Sequence, residues 1–263
     1  MTVSVESLQN QDVRAAEGAV LFDDGNHRWT WLGEDSASSD GVAANQFLIQ
    51  DGASGCLLDP GSVLDFSRVV ANLSRYSEPR QLSYLFFSHQ DPDVSSAMPM
   101  WAAISNAKMV MSSVWSRFMP HYGEIEASRL HLVPDEGGTL TLGRSRLEIV
   151  PAHYLHSVGN ITLYDPVARL LFSGDIGAAL VPEGEQTLFV EDFDHHVRYM
   201  EGFHRRYMTS GRACADWANR VGSLGVDAIV PQHGSIFRGD DVGRFLRWFG
   251  GLRCGVDLIG EGG

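Results

Sequence analysis

The first sixty residues alternate short apolar runs with turn residues: GAVLFDD, RWTWLG, NQFLIQDG and GCLLDPG. Each run is rich in Leu, aromatic or β-branched residues and closes on Gly, Asp or Pro, which predicts four strands. Between residues 62 and 76 the spacing changes. Val63, Leu64, Phe66, Val69, Val70 and Leu73 recur nearer to every 3.6 positions than every 2, so a helix is predicted there. LSYLFF returns to strand, DVSSAMPMWAAIS reads as helix despite Pro99, and AKMVMSS is again strand. After Gly138 the pattern restarts with TLTLG, RLEIVPA, NITLYD and RLLFSGD as successive strands. A helical region from about His195 to Leu224, broken near Gly211, then precedes the strand DAIVPQ and a last amphipathic helix around Phe245 to Phe249.

Strands and helices thus alternate twice around a central break, with no low-complexity linker. The expectation is α/β class: one domain over residues 1–263, two β-rich halves packed as a sandwich under covering helices. With 263 residues, 44% of them apolar, the chain is long enough to bury such a core.

Composition removes several function classes. The formal charge is −13 and no basic cluster rises against it, so nucleic acid and anionic membrane are poor partners. Among twenty basic residues only Lys108 is a lysine, which leaves Schiff-base chemistry and phosphate-loop nucleotide binding almost without a candidate side chain. Cys56, Cys214 and Cys254 are far apart and make no CxxC pair, which argues against a disulfide framework or a cysteine zinc site. The polar N-terminus does not read as a signal peptide, and no run of about 18 apolar residues suggests a membrane span. A soluble protein of the reducing cytoplasm is expected.

Against this background one segment stands out. In LFFSHQDPDVSSA an apolar strand exits not through Gly or Asn but through His89, Asp91 and Asp93. If the segment stays extended, positions i, i+2 and i+4 face one side, and Pro92 biases Asp91 toward that conformation. Three more chemically active residues also follow predicted strands: His156 after IVPAHYL, Asp175 after LLFSG and His233 after AIVPQ. Strand ends on one edge of a stacked sheet converge on a shared crevice. Taken singly, each His reads as a satisfied core residue and Asp93 as a helix N-cap. Together, three imidazoles and three carboxylates are a metal constellation, with more ligands than one tetrahedral ion needs.

Two ions are therefore expected: one held by His89, Asp91 and His156, the other by Asp93 and His233, with Asp175 bridging. Two divalent ions against three carboxylates leave +1, which one bridging hydroxide neutralises. Imidazole suits several metals, but the carboxylate share tilts the choice toward iron or manganese rather than zinc.

These residues carry a resemblance to the metallo-β-lactamase superfamily, and within it to the diiron domain of flavodiiron proteins, of the oxygen-binding diiron type. That signature is H-x-E-x-D, a later His, a bridging Asp about nineteen residues on, and a final His. Here it is matched by SHQDPD, LHSVGN, LFSGD and PQHGSIFRG, and His156 and Asp175 stand 19 positions apart. The resemblance covers nearly the whole chain. It implies a metallo-β-lactamase-like αββα sandwich, two mixed β-sheets flanked by helices. It also selects His156 over His153 as ligand and implies a Gly234 that turns the backbone beside the metal. Hydrolytic members carry H-x-H-x-D-H; Asp91 at the second of these positions favours iron over zinc.

Two departures bear on function. Asp91 replaces the usual Glu and shortens the arm by about 1.5 Å. Val94 stands where the pattern has a His, which implies an open position at the second metal. No flavodoxin domain is expected after the tail LIGEGG, so electrons would come from a separate donor.

The expected cofactor is two iron ions, oxo- or hydroxide-bridged, with two zinc or two manganese ions as the alternative. The first functional expectation is a protein that binds dioxygen or nitric oxide: a sensor or carrier working with a signalling partner, or an oxidoreductase fed by an external donor. A dinuclear hydrolase acting on a thioester, lactone or phosphodiester is the second. A metal-stabilised interaction module is the third, and self-association stays open. Around the site, His204 and Tyr207 are expected to share a helix face at the pocket mouth, with Tyr207 as a proton donor and a purely structural helix as the plain alternative. His195 and His196 are expected at the surface or just behind the ligands.

Overall fold

The structure, a computed structural model of the chain, describes residues 2–13, 17–34, 42–123, 125–182 and 184–260. Its first sheet holds β1 (Ala19–Asp23), β2 (His27–Glu34), β3 (Asn45–Asp51), β4 (Ser54–Leu58), β5 (Leu82–Phe86), β6 (Lys108–Ser112) and β7 (Leu130–Val133), side by side in chain order. Pairing is antiparallel from β1 to β4 and parallel from β4 to β7. The second sheet holds β8 (Gly138–Leu142), β9 (Ser145–Pro151), β10 (Ile161–Asp165), β11 (Leu170–Gly174), β12 (Ala228–Pro231) and β13 (Phe237–Arg238), again in spatial sequence. Only β11 and β12 pair in parallel there.

The continuous apolar runs of the sequence exist because both faces of each sheet are covered. On β3 and β4, Phe47, Ile49, Cys56 and Leu58 point into the layer between the sheets, where they join Leu163, Leu170 and Phe172. Phe172 packs edge-on against Phe47 and Phe86, with ring centroids 5.9 and 6.3 Å apart. The alternate residues Leu48 and Leu57 turn outward to Val69 and Leu73 of α1 (Phe66–Leu73), in the layer that also takes α2 (Pro92–Ser95) and α3 (Met98–Ile104). On the far side Tyr164, Leu171 and Ile229 meet α4 (Phe193–Tyr207), α5 (Gly211–Gly222) and α6 (Asp240–Gly250) through Met200, Trp217, Val221, Phe245 and Phe249. Each such large side chain contributes about 1.5–3 kcal/mol by leaving water. The layering is helix, sheet, sheet, helix, as the sequence led us to expect.

The helices differ from expectation in detail. The one expected over 62–76 begins only at Phe66, because Ser62 and the Asp65 carboxylate hydrogen-bond each other and tie residues 62–65 into a turn. The one expected over 93–105 is two helices. Pro99 cannot sit inside a continuous helix, since its ring would strike the carbonyl four residues back, so it takes the first turn of a new one. The expected break near Gly211 is present, with Ser210 capping α5 by accepting from Ala213 N–H. The short β7 and β13 carry too few alternating positions to be read from sequence. Residues 261–263 of the tail lie outside the described residues.

Candidate metal centre

Strand direction brings the ligand candidates together. β9 and β11 both run antiparallel to β10 and so point the same way, and β12 is parallel to β11. The loops carrying His156, Asp175 and His233 therefore leave one edge of the second sheet. The loop after β5 meets them there: Ile161 N–H donates to Ser88 O at 3.0 Å. Gly174 permits that approach. Its φ is +56°, and a Cβ on it would lie 2.8 Å from Ser88 Oγ. Gly234, at φ +85°, makes the turn expected beside His233.

The side chains form two sets around one carboxylate. Asp175 Oδ2 lies 3.4 Å from His156 Nε2 and 3.9 Å from His89 Nε2, and Asp91 Oδ2 sits 2.9 Å from His156 Nε2 and 3.8 Å from His89 Nε2. The other Asp175 oxygen, Oδ1, lies 3.4 Å from His233 Nε2, which is 3.2 Å from Asp93 Oδ2. Each oxygen of Asp175 thus addresses one set. His89, Asp175 and His233 are nearly inaccessible to solvent, while Asp91 and Asp93 are partly open.

Supporting groups aim the imidazoles. Ser88 Oγ donates to Asp59 Oδ2 at 2.5 Å and faces His89 Nδ1 at 2.8 Å. A hydroxyl that has given its hydrogen away accepts from Nδ1–H, which leaves His89 Nε2 with its lone pair toward the site. Burial pushes the Asp59 carboxyl up to about 8 against the Ser88 hydrogen bonds, and cations bound beside it would favour the carboxylate form that accepts from Ser88. His233 Nδ1–H donates to Ala43 O at 2.8 Å, again freeing Nε2. Gln232 Nε2 donates to Asp93 Oδ2 at 3.2 Å.

The arrangement fits metal ions. His89 Nε2 and Asp175 Oδ1 are buried and have no hydrogen-bond partner, which native interiors rarely tolerate. One ligand atom from each of His89, His156 and Asp175 falls within 4.8 Å of the others, a separation that one ion bridges. The charges agree. Burial would raise the Asp175 carboxyl, but the facing His89, His233 and His156 hold it well below its ordinary range, and His233 is raised well above its own by Asp175 and Asp93 despite burial. Metal ions compete with protons for such imidazoles.

Several residues stand elsewhere than expected. The 89–93 segment is not extended throughout: Asp91, with φ −63° and ψ 151°, takes the N-cap position of α2, and Asp93 lies in its first turn. Asp91 caps no N–H with its side chain, so the carboxylate stays free for the site. His204 does not line the mouth. It is fully buried, with Nδ1–H donating to Met200 O and Nε2 accepting from Gly177 N–H at 2.9 Å, so it pins the loop that follows Asp175. Burial lowers it to about 4 and keeps it neutral. Tyr207 is half exposed, stacked on Phe203, with its ring 5.6 Å from that of His156. His153 faces two carbonyls, Val158 O and Asp135 O, away from the ligands. His195 is at the surface beside Tyr199, but His196 is buried against Phe237, part of the helix–sheet packing. Val94 is buried in the layer with Trp101 and adds no polar atom to the Asp93 set.

Gln90 carried no signal in the sequence. Its amide nitrogen donates to Asp91 Oδ1 at 2.9 Å and its amide oxygen accepts from Ser157 Oγ at 2.6 Å, so it links the two ligand loops and turns Oδ2 toward His156. We expect Gln90→Ala to fold normally and to weaken metal binding by about 10- to 100-fold, the usual cost of losing a group that orients a ligand. Iron titration followed by equilibrium dialysis measures this; unchanged affinity would discard the role.

The family model described as ODP family beta lactamase matches residues 42–234. The apo state of the chemotaxis sensor ODP from T. denticola is 44% identical, with a TM-score of 0.85 over 93% of this chain and 98% of that one. The peroxy diiron species of the chemotaxis sensor ODP is 42% identical, with a TM-score of 0.84 over 94% and 99%. Cores of flavo di-iron proteins, among them one from Thermotoga maritima at 19% identity and a TM-score of 0.75, share the fold. The nitric oxide reductase of Moorella thermoacetica is 23% identical over 217 residues, 79% of this chain and 53% of that protein. The chain spans about half the length of the curated relatives it matches.

Proposed function

Because the chain belongs to the ODP family of β-lactamase-like proteins, we propose that it is a non-haem diiron protein that binds dioxygen and acts as an oxygen sensor. One observation carries the reading: the two oxygens of Asp175 address two separate sets, His89, Asp91 and His156 on one side and Asp93 and His233 on the other. The sensor role rests on the chemotaxis sensors that the chain resembles over nearly its whole length. Asp91, a carboxylate where hydrolytic relatives place a second histidine, supports iron over zinc.

Two ferrous ions held by these residues would supply two electrons to a bound diatomic gas. The chain's own residues do the rest. Ser88 and Ala43 O set the imidazole tautomers, Gln90 fixes which Asp91 oxygen faces the site, and His204 holds the loop behind Asp175. Phe203 and Tyr207 cover the His156 ring and limit water on that side. Asp93 and His233 present fewer ligands than the opposite set, and Val94 after Asp93 adds none, which supports that side as the one left open to a gas. Nitric oxide is the alternative ligand and a separate reductase or signalling protein the partner. The two sheets share one apolar interior, which supports reading residues 1–263 as one domain, and the reading places it in the cytoplasm; among the described residues no helix is long and apolar enough to cross a membrane.

Protein loaded with iron and reduced without air is expected to change its visible absorption rapidly on exposure to dioxygen. Without an added donor the change should stop after one round, since about two ferrous ions hold about two electrons. Reversal when dioxygen is removed marks a sensor or carrier; irreversible oxidation restored by a donor marks a reductase. An iron-loaded form that is optically silent to dioxygen and nitric oxide, yet cleaves a thioester or lactone, would overturn the reading in favour of hydrolysis.

A further inference from the structure

Cys214 and Cys254 stand 40 positions apart in the chain, yet their sulfurs are 3.7 Å from each other and both side chains are fully buried. Cys214 lies in the first turn of α5, and Cys254 directly precedes the C-terminal turn Gly255–Leu258. That turn is anchored next to the pair by Val256 N–H to Thr209 O at 2.8 Å, Gly211 N–H to Asp257 Oδ2 at 2.6 Å, Cys254 N–H to Asp257 Oδ2 at 3.3 Å and Arg253 to Asp257 O at 3.2 Å. Its outer face is exposed at Val256 and Ile259. The contact is close. A Cβ on Gly255, whose φ is +52°, would come within 2.3 Å of Met208 O and Thr209 O. Beneath the turn, Met208 and Thr209 pair with the loop that carries His156, through the Leu155–Met208 bridge and Thr209 N–H to Tyr154 O at 3.1 Å.

We propose that Cys214 and Cys254 are a peroxide-oxidisable dithiol, closing to a disulfide that staples the C-terminal turn onto α5. A disulfide needs sulfurs at about 2.05 Å, so the pair must approach by a little under 2 Å, within reach of small side-chain rotations. While the turn is shut, burial keeps both thiols protonated and unreactive. Local opening of this turn, whose outer face is exposed at Val256, uncovers Cys254. Its thiolate attacks hydrogen peroxide, cleaving the O–O bond to give the sulfenic acid and hydroxide, which takes up the thiol proton as water. On reclosing, Cys214 sulfur displaces the sulfenic oxygen as a second water. Two thiols lose two electrons and two protons, and one peroxide becomes two waters. Cys56, buried between the sheets, takes no part. The proposal does not depend on the metal reading.

The test uses folded, metal-free full-length protein and hydrogen peroxide, with thiols counted after denaturation and disulfides mapped by non-reducing peptide mass analysis. The expected result is loss of two of the three thiols, a single peptide pair linking Cys214 to Cys254, return of both thiols with dithiothreitol, and slower amide exchange at Val256 in the oxidised form. Cys214→Ser should leave Cys254 as a sulfenic or sulfinic acid with no cross-link. Should that variant fail to fold, the wild-type peptide map and exchange data still decide. Three intact thiols at peroxide levels that oxidise the unfolded chain, a cross-link through Cys56, or over-oxidation without a cross-link would each overturn the proposal.

Discussion

Replacing Asp175 with alanine is expected to empty both halves of the metal site, lowering bound iron from about two ions per chain to nearly none. The reason is geometric. Among the described residues Asp175 is the carboxylate that approaches His89 and His156 through Oδ2 and His233 through Oδ1, so its loss removes a candidate ligand from each set. It also removes the negative charge that lets three imidazoles sit together in a buried space, where each ion would otherwise meet too little compensating charge. Asp91→Ala and Asp93→Ala are the controls. Each touches one set only and should retain about half the metal. Elemental analysis of the three variants after identical iron loading, with circular dichroism to establish folding, makes the comparison. Retention of one ion by Asp175→Ala would contradict the bridging role even if the fold and the family assignment stand.

The second large effect is expected at the opposite edge of the sandwich. There His27 at the start of β2, Asp51 at the end of β3, Ser145 at the start of β9 and Asp165 at the end of β10 form a buried polar cluster that ties the two sheets. Asp165 Oδ2 accepts from Trp29 Nε1–H and contacts His27 Nε2, both at 2.5 Å, while its Oδ1 accepts from the N–H groups of Val167 and Ala168. Asp165→Ala strands the His27 and Trp29 donors in a dry interior. A cost of about 3–5 kcal/mol is expected, the range for breaking a buried pair by removing one partner, against a typical total stability of about 5–15 kcal/mol. Urea denaturation measures it, and a loss below about 1 kcal/mol would mean that water enters and replaces the carboxylate.

The same cluster gives stability a direction with pH. Burial alone would lower the His27 pKa, but the Asp165 hydrogen bond and the charges of Asp165, Asp51 and Asp24 outweigh it and raise it. A group whose folded pKa is raised stabilises fully below its unfolded value, about 6.5 for histidine, and that contribution fades as pH climbs through the folded value. Metal-free wild-type protein should therefore lose stability relative to His27→Gln as pH rises from about 6 upward. A difference that grows in the opposite direction would place the proton elsewhere.

What the sequence by itself determined is whatever depends on neighbours along the chain. Strand runs such as NQFLIQDG and RLLFSGD were legible because period and closing residues are local, and a histidine or aspartate directly after a buried strand is visible as a departure from ordinary turn chemistry. The ligand candidates and the two-sheet layering follow from those signals. Tertiary structure alone decided where distant segments meet. No local pattern says that Gln90 reaches Ser157, that His27 lies against Asp165, or that Cys214 comes to rest 3.7 Å from Cys254. His204 shows the same limit: its spacing from Tyr207 suggests a shared face, but packing between Met200, Gly177 and Trp248 turned it inward. A helical or extended period fixes which residues share a face of one element. What that face touches depends on the order and direction in which the sheets assemble, because side-chain environments are set by contacts between residues far apart in the chain.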